Sequence, residues 1–236
     1  MKRARTAGGK LLLPRLPYVP PVAGGPLPNA PEERVLTDPI SVDCICPTFN
    51  RPDRHESLYQ SFAYQQHEPK TLWVLDNSPQ SSPFFQRLVD PGVHYVHQPG
   101  RTPHGAARNE LLRMSSGQVV AHFDDDDERA GHYLSGMIAH LREQDADLVK
   151  LAIWDELHRD DRRTRFDGHQ RHDDDLWGWG FSYVYRRHVT SRVSFQSCDG
   201  RGPNSEDIVF LRALQAAGFR TQLVDDGVDW TTHRVP

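Results

Sequence analysis

The sequence predicts an α/β fold, a mostly parallel sheet flanked by helices. Two observations carry that prediction. Short apolar runs alternate with helical stretches from Ser41 onward, and polar residues gather just after the apolar runs. Repeated βα units of this length return each strand parallel to the last, because the helix must cross back over the sheet. At 236 residues the chain can bury roughly 70% of its unfolded surface, so folding needs neither disulfide nor structural metal.

The elements follow in order. Ser41–Cys46 is the first strand, ended by Pro47, and a helix runs from Asp53 or Arg54 to Gln66. Thr71–Leu75 is the second strand, closed by the turn Asp76-Asn77-Ser78-Pro79. Ser82–Leu88 is a short helix, Val93–His97 the third strand, and Gly105–Met114 a helix with Ala106, Ala107, Leu111 and Met114 near one side. Val119–Phe123 is the fourth strand and runs into four aspartates. Arg129–Gln144 is a helix and Asp147–Trp154 a strand. The polar, arginine-rich residues 155–175 are expected as a mobile loop or hairpin over a site. Phe181–Tyr185 returns to strand character. Glu206–Ala217 is an amphipathic helix, with Ile208, Leu211 and Leu214 on one side and Gly218 as its stop. Thr221–Val224 is the last predicted strand, followed by an aspartate turn and a short tail.

Residues 1–40 stand apart from this domain of residues 41–236. Eight of the 18 prolines fall there, and proline at that density blocks helices and sheet ladders alike. The segment reads as an extended, partly disordered arm with a basic start. Its apolar piece Leu11–Leu13 is cut by Pro14 and Arg15, too short for the core of a secretion signal.

Composition narrows the function. Lysine plus arginine number 28 against 32 acidic residues, a net charge of -4 that argues against a nucleic-acid partner. No run approaches the ~20 apolar residues of a membrane span. Cys44, Cys46 and Cys198 form no CxxC pair, which disfavours a zinc ribbon or a thioredoxin-type site. Cys44 and Cys46, two apart on a strand, read as small buried hydrophobes. A reducing, cytoplasmic setting fits this usage.

Ligands of open α/β sheets collect beyond the carboxyl ends of the strands, and the notable residues sit there. The first strand ends in Pro47-Thr48-Phe49-Asn50-Arg51, the second in Asp76-Asn77, and the fourth in Asp124-Asp125-Asp126-Asp127. Gly100-Arg101 and Gly105 follow the third. Adjacent carboxylates repel and raise one another's pKa. A hard divalent cation such as Mg²⁺ or Mn²⁺ removes that penalty and takes its remaining ligands from phosphates and water. The bland alternative is a solvated acidic turn. Asp173–Asp175, in the polar loop, and Asp225-Asp226, in a late turn, are read that way.

PTFNR after the first strand, an aspartate closing the second, GAARN opening a helix, and FDDDD after the fourth together resemble the GT-A glycosyltransferases, a Rossmann-like fold, and most of all the inverting family 2. The resemblance covers residues 41–236. It implies that Thr48 and Arg51 lie near the nucleotide, that Asp76 accepts a hydrogen bond from the base, typically uracil, and that Arg101 or Arg108 lies near the nucleotide half of the donor. It aligns the family's D-x-D with Asp124-Asp125-Asp126, making Asp126 the metal ligand and Asp125 a ribose or sugar contact; a slip to Asp125–Asp127 stays open. It makes Asp207 of the Glu206-Asp207 pair the general base, and it places a late histidine, His233, on the metal.

Each role competes with a plainer one. Ser205 is a good N-cap, and acidic residues are stabilised in a first helical turn by the dipole. On that reasoning a base at this position has a lowered pKa and is ionised at pH 7. His233 is one of 13 histidines. His122, inside a strand, reads as core. Trp177-Gly178-Trp179-Gly180 resembles the WGWG of β-1,4-galactosyltransferases, where an acidic pair follows almost at once; here Glu206 comes far later. Indoles stack on sugars, which makes Trp177 and Trp179 candidate acceptor contacts, with tight aromatic packing as the alternative. The resemblance implies an inverting, metal-dependent hexosyltransferase. Its donor is a nucleotide-diphosphate sugar, most simply UDP-linked, and its acceptor a carbohydrate, small molecule or peptide. A nucleotidyltransferase is the rival enzyme, but its glycine-rich loop is absent from PTFNRPDR. A degenerate domain that only binds sugar nucleotide is the non-enzymatic rival.

Overall fold

The computed structural model describes Leu27 and residues 34–170, 176–198, 205–225, 227 and 229–235. Most of the arm of residues 1–40, Asp173–Asp175 and Asp226 lie outside the described residues.

The larger sheet has seven strands in the order β10-β6-β9-β4-β1-β2-β3. These are β1 (Val42–Thr48), β2 (Lys70–Asp76), β3 (Val93–His97), β4 (Val119–His122), β6 (Leu148–Leu151), β9 (Val184–Arg186) and β10 (Thr221–Val224). β1 runs parallel to β2 and β4, β2 to β3, and β6 to β10, while β9 is antiparallel to both neighbours. Side chains alternate across the sheet. Val42, Cys44 and Cys46 meet Leu58 and Phe62 of α1 (His55–Ala63) and Leu134, Met137 and Leu141 of α3 (Tyr133–Glu143). Ile45, Val120 and Leu148 meet Leu111 of α2 (His104–Met114) and Phe210, Leu211 and Leu214 of α4 (Glu206–Ala216). The two cysteines are therefore free, buried and on one face.

A second, four-stranded sheet has the order β5-β11-β7-β8. Its strands are β5 (Asp127–Arg129), β7 (Ile153–Leu157), β8 (Arg163–Asp167) and β11 (Thr231–Arg234). Parts of it overturn the expected elements. The run expected as one strand over Asp147–Trp154 breaks at Ala152 and feeds both sheets. Residues 155–175 carry most of the β7–β8 hairpin, the second of the two expected forms, and the short tail after β10 forms β11. The start of the Arg129–Gln144 helix is recruited into β5, because Asp127–Arg129 pairs with Thr231–His233.

Three further expectations change. β1 does not stop at Pro47. Val42 N–H bonds Pro69, so even-numbered residues face β2; Pro47 faces the β4 side, beyond the last paired residue His122, where no N–H is needed. Ser82–Leu88 closes only turns, such as Gln86 N–H to Ser82 C=O at 3.1 Å. Phe181–Tyr185 splits into a 3-10 turn (Gly180–Ser182) and β9. Among the described residues no helix is long and apolar enough to cross a membrane.

Candidate active site

The carboxyl ends of β1 and β4, the start of α4 and the edge of the small sheet enclose a cavity of about 330 Å³. The turn out of β1 reaches it through Asn50, which holds a φ of 56°. Asparagine tolerates this left-handed conformation better than most residues, and the Asn50 N–H is anchored by Ser78 Oγ at 2.8 Å.

Asp124, Asp125 and Asp126 line the cavity. Asp127 does not; its carboxylate is buried between His233 Nδ1 at 2.7 Å and Arg129 Nη2 at 3.2 Å. Thr48 Oγ1 donates to Asp125 at 2.6 Å, and one Arg51 nitrogen bridges Asp125 at 2.7 Å and Asp126 at 2.6 Å. Burial pushes Asp125 up to about 6 against the pull of Arg51. Burial also works against a charge on Asp124, but the Arg108 guanidinium, 3.4 Å away, holds it well below the usual carboxylate range.

Asp207 enters from the first turn of α4 and lines the same cavity. Gly180 N–H donates to its Oδ2 at 3.2 Å. A Cβ on Gly180 would stand 2.1 Å from the Asp207 carboxyl carbon, so the WGWG glycine is needed for this close approach. Asp207 Oδ1 has no hydrogen-bond partner among the described residues. Its pKa overturns the helix-dipole expectation. Burial, aided by Glu206 and Asp124 and opposed by Arg108, raises it to about 7. A surface dipole effect of at most a few tenths to ~1 kcal/mol cannot offset the desolvation of a buried carboxylate. Ser205 occupies the N-cap position, yet its hydroxyl makes no capping hydrogen bond.

His233, on β11, is buried and lines the cavity. Asp127 holds its Nδ1 and raises its pKa against the effect of burial. Its Nε2 is buried without a partner. An imidazole fixed by a carboxylate through one nitrogen, with the other left open, is the arrangement of an oriented metal-ligating histidine. Among the described residues no three His, Cys, Asp or Glu side chains gather closely enough to hold a metal ion by themselves. The pair of Asp126 and His233 Nε2 would suit a cation such as Mn²⁺ that takes its other ligands from phosphate and water.

The remaining candidates divide. Trp179 lines the cavity and meets the His233 ring edge-on, with centroids 5.1 Å apart. Trp177 instead packs against both cores, its carbonyl accepting from Tyr183 OH at 2.6 Å. Asp76 is fully buried, and its two oxygens accept from Ser78 N–H at 2.9 Å and Tyr95 OH at 2.7 Å. Arg101 is exposed in the loop before α2, outside the cavity lining. Arg108 is buried beneath the site, with Asp124, Glu206 and Asp207 at 3.4, 3.9 and 3.7 Å. It holds the acids in place and does not line the cavity. His122 is core, its Nδ1 2.7 Å from Gly180 C=O. Asp225, read as solvated, is exposed and meets His169 at 2.8 Å.

Sequence reasoning missed His104 and Arg129, and the supporting part played by Asp127. His104 opens α2, lines the cavity and stands 3.6 Å from Glu206. Asp127 and Arg129 orient His233 and join the sheets; their signal was the strand pairing with residues 231–233, which no local pattern reveals. GAARN also gains a reason. A Cβ on Gly105 would lie 1.9 Å from Gln196 O, and Asn109 brackets the Phe195 backbone at 2.8 and 3.0 Å, fastening α2 to the segment that leads toward α4.

The profile of Glycosyl transferase family 2 matches residues 43–203. A putative colanic acid biosynthesis glycosyl transferase, WcaA of Escherichia coli (strain K12), is 27% identical over 106 residues, 43% of this chain and 38% of that protein. Among solved structures, the mannosyltransferase PcManGT from Pyrobaculum calidifontis, in complex with GDP-Man and Mn²⁺, superposes with a TM-score of 0.64 at 20% identity, covering 83% of this chain and 57% of the other. S. aureus TarS 1-349 in complex with UDP-GlcNAc gives 0.60 at 13% identity, covering 84% and 59%. The chain thus spans well under two thirds of these relatives' lengths. The fold is that of the GT-A glycosyltransferases, and the chain belongs to glycosyl transferase family 2.

Proposed function

We propose that the protein is an inverting, metal-dependent glycosyltransferase that moves a sugar from a nucleotide-diphosphate donor, UDP-linked in the first instance, to an acceptor hydroxyl. The observation that carries this reading is one cavity lined by Asp125, Asp126, Asp207 and His233, with His233 Nε2 buried and unpartnered. The structural neighbours bound to GDP-Man and to UDP-GlcNAc support the donor class. Asp126 and His233 would hold the cation, which supplies Lewis-acid stabilisation of charge on the leaving diphosphate.

The chain's own residues do the rest. Thr48 and Arg51 fix the Asp125 carboxylate, and Arg51 also holds Asp126, so the acids are placed before any ligand arrives. Asp207 takes the proton from the acceptor hydroxyl through its carboxylate, which lines the cavity, while Gly180 N–H holds Oδ2. A base with a pKa of about 7 is matched to proton transfer near neutral pH. Arg108 balances the charge below it.

Incubation with Mn²⁺ and a panel of UDP- and GDP-sugars, followed by detection of free nucleoside diphosphate and of product anomer, tests the reading. Asp207→Asn should bind donor normally and lose about 10²–10⁴-fold in transfer. Normal transfer by that variant removes Asp207 as the base, and no release from any donor removes the function.

A further inference from the structure

A second cavity, of about 290 Å³, adjoins the first; Arg51 and Asp126 line both. Three segments distant in sequence build it: the turn after β1 with Arg54, the β7–β8 turn with His158 and Arg159, and the end of β11 with Arg234. The pairing of Arg234 with Leu157, and of Val235 N–H with Leu157 C=O at 3.0 Å, sets the last two side by side. Four arginines line it against two aspartates, Asp53 and Asp126, in a chain whose net charge is -4. The lining is therefore basic where the chain as a whole is acidic, though acids pair with three of its arginines. Arg51 is committed to Asp125 and Asp126, Arg234 to Glu128, and Arg54 to Asp53 at 3.5 Å. Arg159 is exposed at the hairpin turn and has no ion pair or hydrogen bond among the described residues. Arginines gathered in a concave wall focus the field and favour phosphate or carboxylate ligands, which the planar guanidinium binds bidentately.

We infer that this cavity receives an anionic group, a phosphate or carboxylate, carried by the sugar acceptor. Resting on the transfer function proposed above, the inference narrows the acceptor to an anionic glycan or sugar phosphate. The shared lining by Arg51 and Asp126 puts the anion beside the donor site, where it would hold an acceptor hydroxyl near the reacting carbon.

The test is equilibrium binding of glucose 6-phosphate, glucuronate and glucose to the full chain, with and without saturating UDP or GDP plus Mn²⁺. The expected result is that one or both anions bind the nucleotide-loaded protein, that glucose does not, and that binding weakens with added salt. Arg159→Ala, at an exposed turn where folding is not at stake, should weaken the anion about tenfold, and Arg54→Ala/Arg159→Ala further. Phosphate and carboxylate are told apart by which sugar binds. The inference is overturned if neither anion binds the loaded protein, or if the variants leave anion binding unchanged. It is also overturned if nucleotide competes the anion away and the variants weaken UDP or GDP instead, which would make this a donor diphosphate site. Failure of the unloaded protein to bind any nucleoside diphosphate defeats the transfer function separately, and the acceptor assignment falls with it.

Discussion

The two sheets meet at the site but are built on different principles. The large sheet uses runs such as Val42–Cys46 and Val119–His122, buried on both faces, and reaches the cavity through the strand ends that carry Thr48 and Asp124. The small sheet uses Asp127–Arg129, Arg163–Asp167 and Thr231–Arg234, short and mostly polar, brought together from across the chain. One is held by apolar burial. The other is held by backbone pairing, by the Trp154–Phe166 stack (centroids 3.9 Å) at its β7–β8 end, and by a buried ion cluster around Arg129 at its β5–β11 end. The difference teaches that the acid-bearing wall stands on strands placed by hydrophobic packing, whereas the histidine-bearing edge of the small sheet is joined to the rest through the Asp127–Arg129 ion pair.

Removing the cluster should show this most strongly. Arg129 is fully buried; its Nη2 donates to Phe181 C=O at 2.9 Å and His122 C=O at 3.2 Å and faces Asp127 at 3.2 Å. It therefore ties the small sheet to the large one. Arg129→Met leaves Asp127 buried opposite a neutral chain and should cost about 3–5 kcal/mol in urea unfolding. A loss below about 1 kcal/mol would mean that the small sheet does not depend on the ion pair.

The same contrast explains what could be read in advance. The order of β1, β2, β3, β4, α2 and α4 was legible because continuous apolar runs and 3.6-residue periodicity are local signals. Asp124–Asp126 and Asp207 were legible because they sit at the ends of such elements. β5 and β11 were not. Asp127-Glu128-Arg129 and Thr231-Thr232-His233-Arg234 have no strand pattern, and only their mutual pairing makes them strands. The Asp207 pKa was misjudged for a related reason: a helix start is visible in sequence, but burial beside Glu206 and Asp124 is not. Nothing in GAARN announces that the Arg108 side chain turns under three carboxylates.

A change on the other side of the same ion pair should weaken the cation site, and because it leaves the buried Arg129 charge without its partner it should also lower stability. Asp127→Asn keeps the size of the side chain and a hydrogen-bonding atom for His233 Nδ1, but removes the carboxylate that orients and polarises the ring. Loss of such a supporting partner typically costs 10–100-fold in metal affinity. Mn²⁺ titration of donor binding should show a loss of about that size, with sugar transfer restored at high Mn²⁺. Unchanged Mn²⁺ dependence would remove His233 from the cation site.

The smallest effect sharpens the comparison from the other side. Everything that sets the Asp207 pKa belongs to the large-sheet half: its own burial, Arg108, Glu206, Asp124 and Gly180. The transfer rate should rise about tenfold per pH unit up to a midpoint near 7 and then level, because only the ionised carboxylate accepts the proton. Stability should move oppositely. A folded-state pKa raised above the unfolded value gives a contribution that is complete below about pH 4 and lost as pH rises through about 7. Glu206→Gln removes a neighbouring negative charge that raises the Asp207 pKa, so the rate midpoint should fall, by a fraction of a unit to about one unit. Asp127→Asn, on the far sheet, should leave the midpoint in place when Mn²⁺ is saturating. A midpoint that follows Asp127 and ignores Glu206 would show that the two walls titrate as one site, and the division between a packed wall and a charged wall would fail.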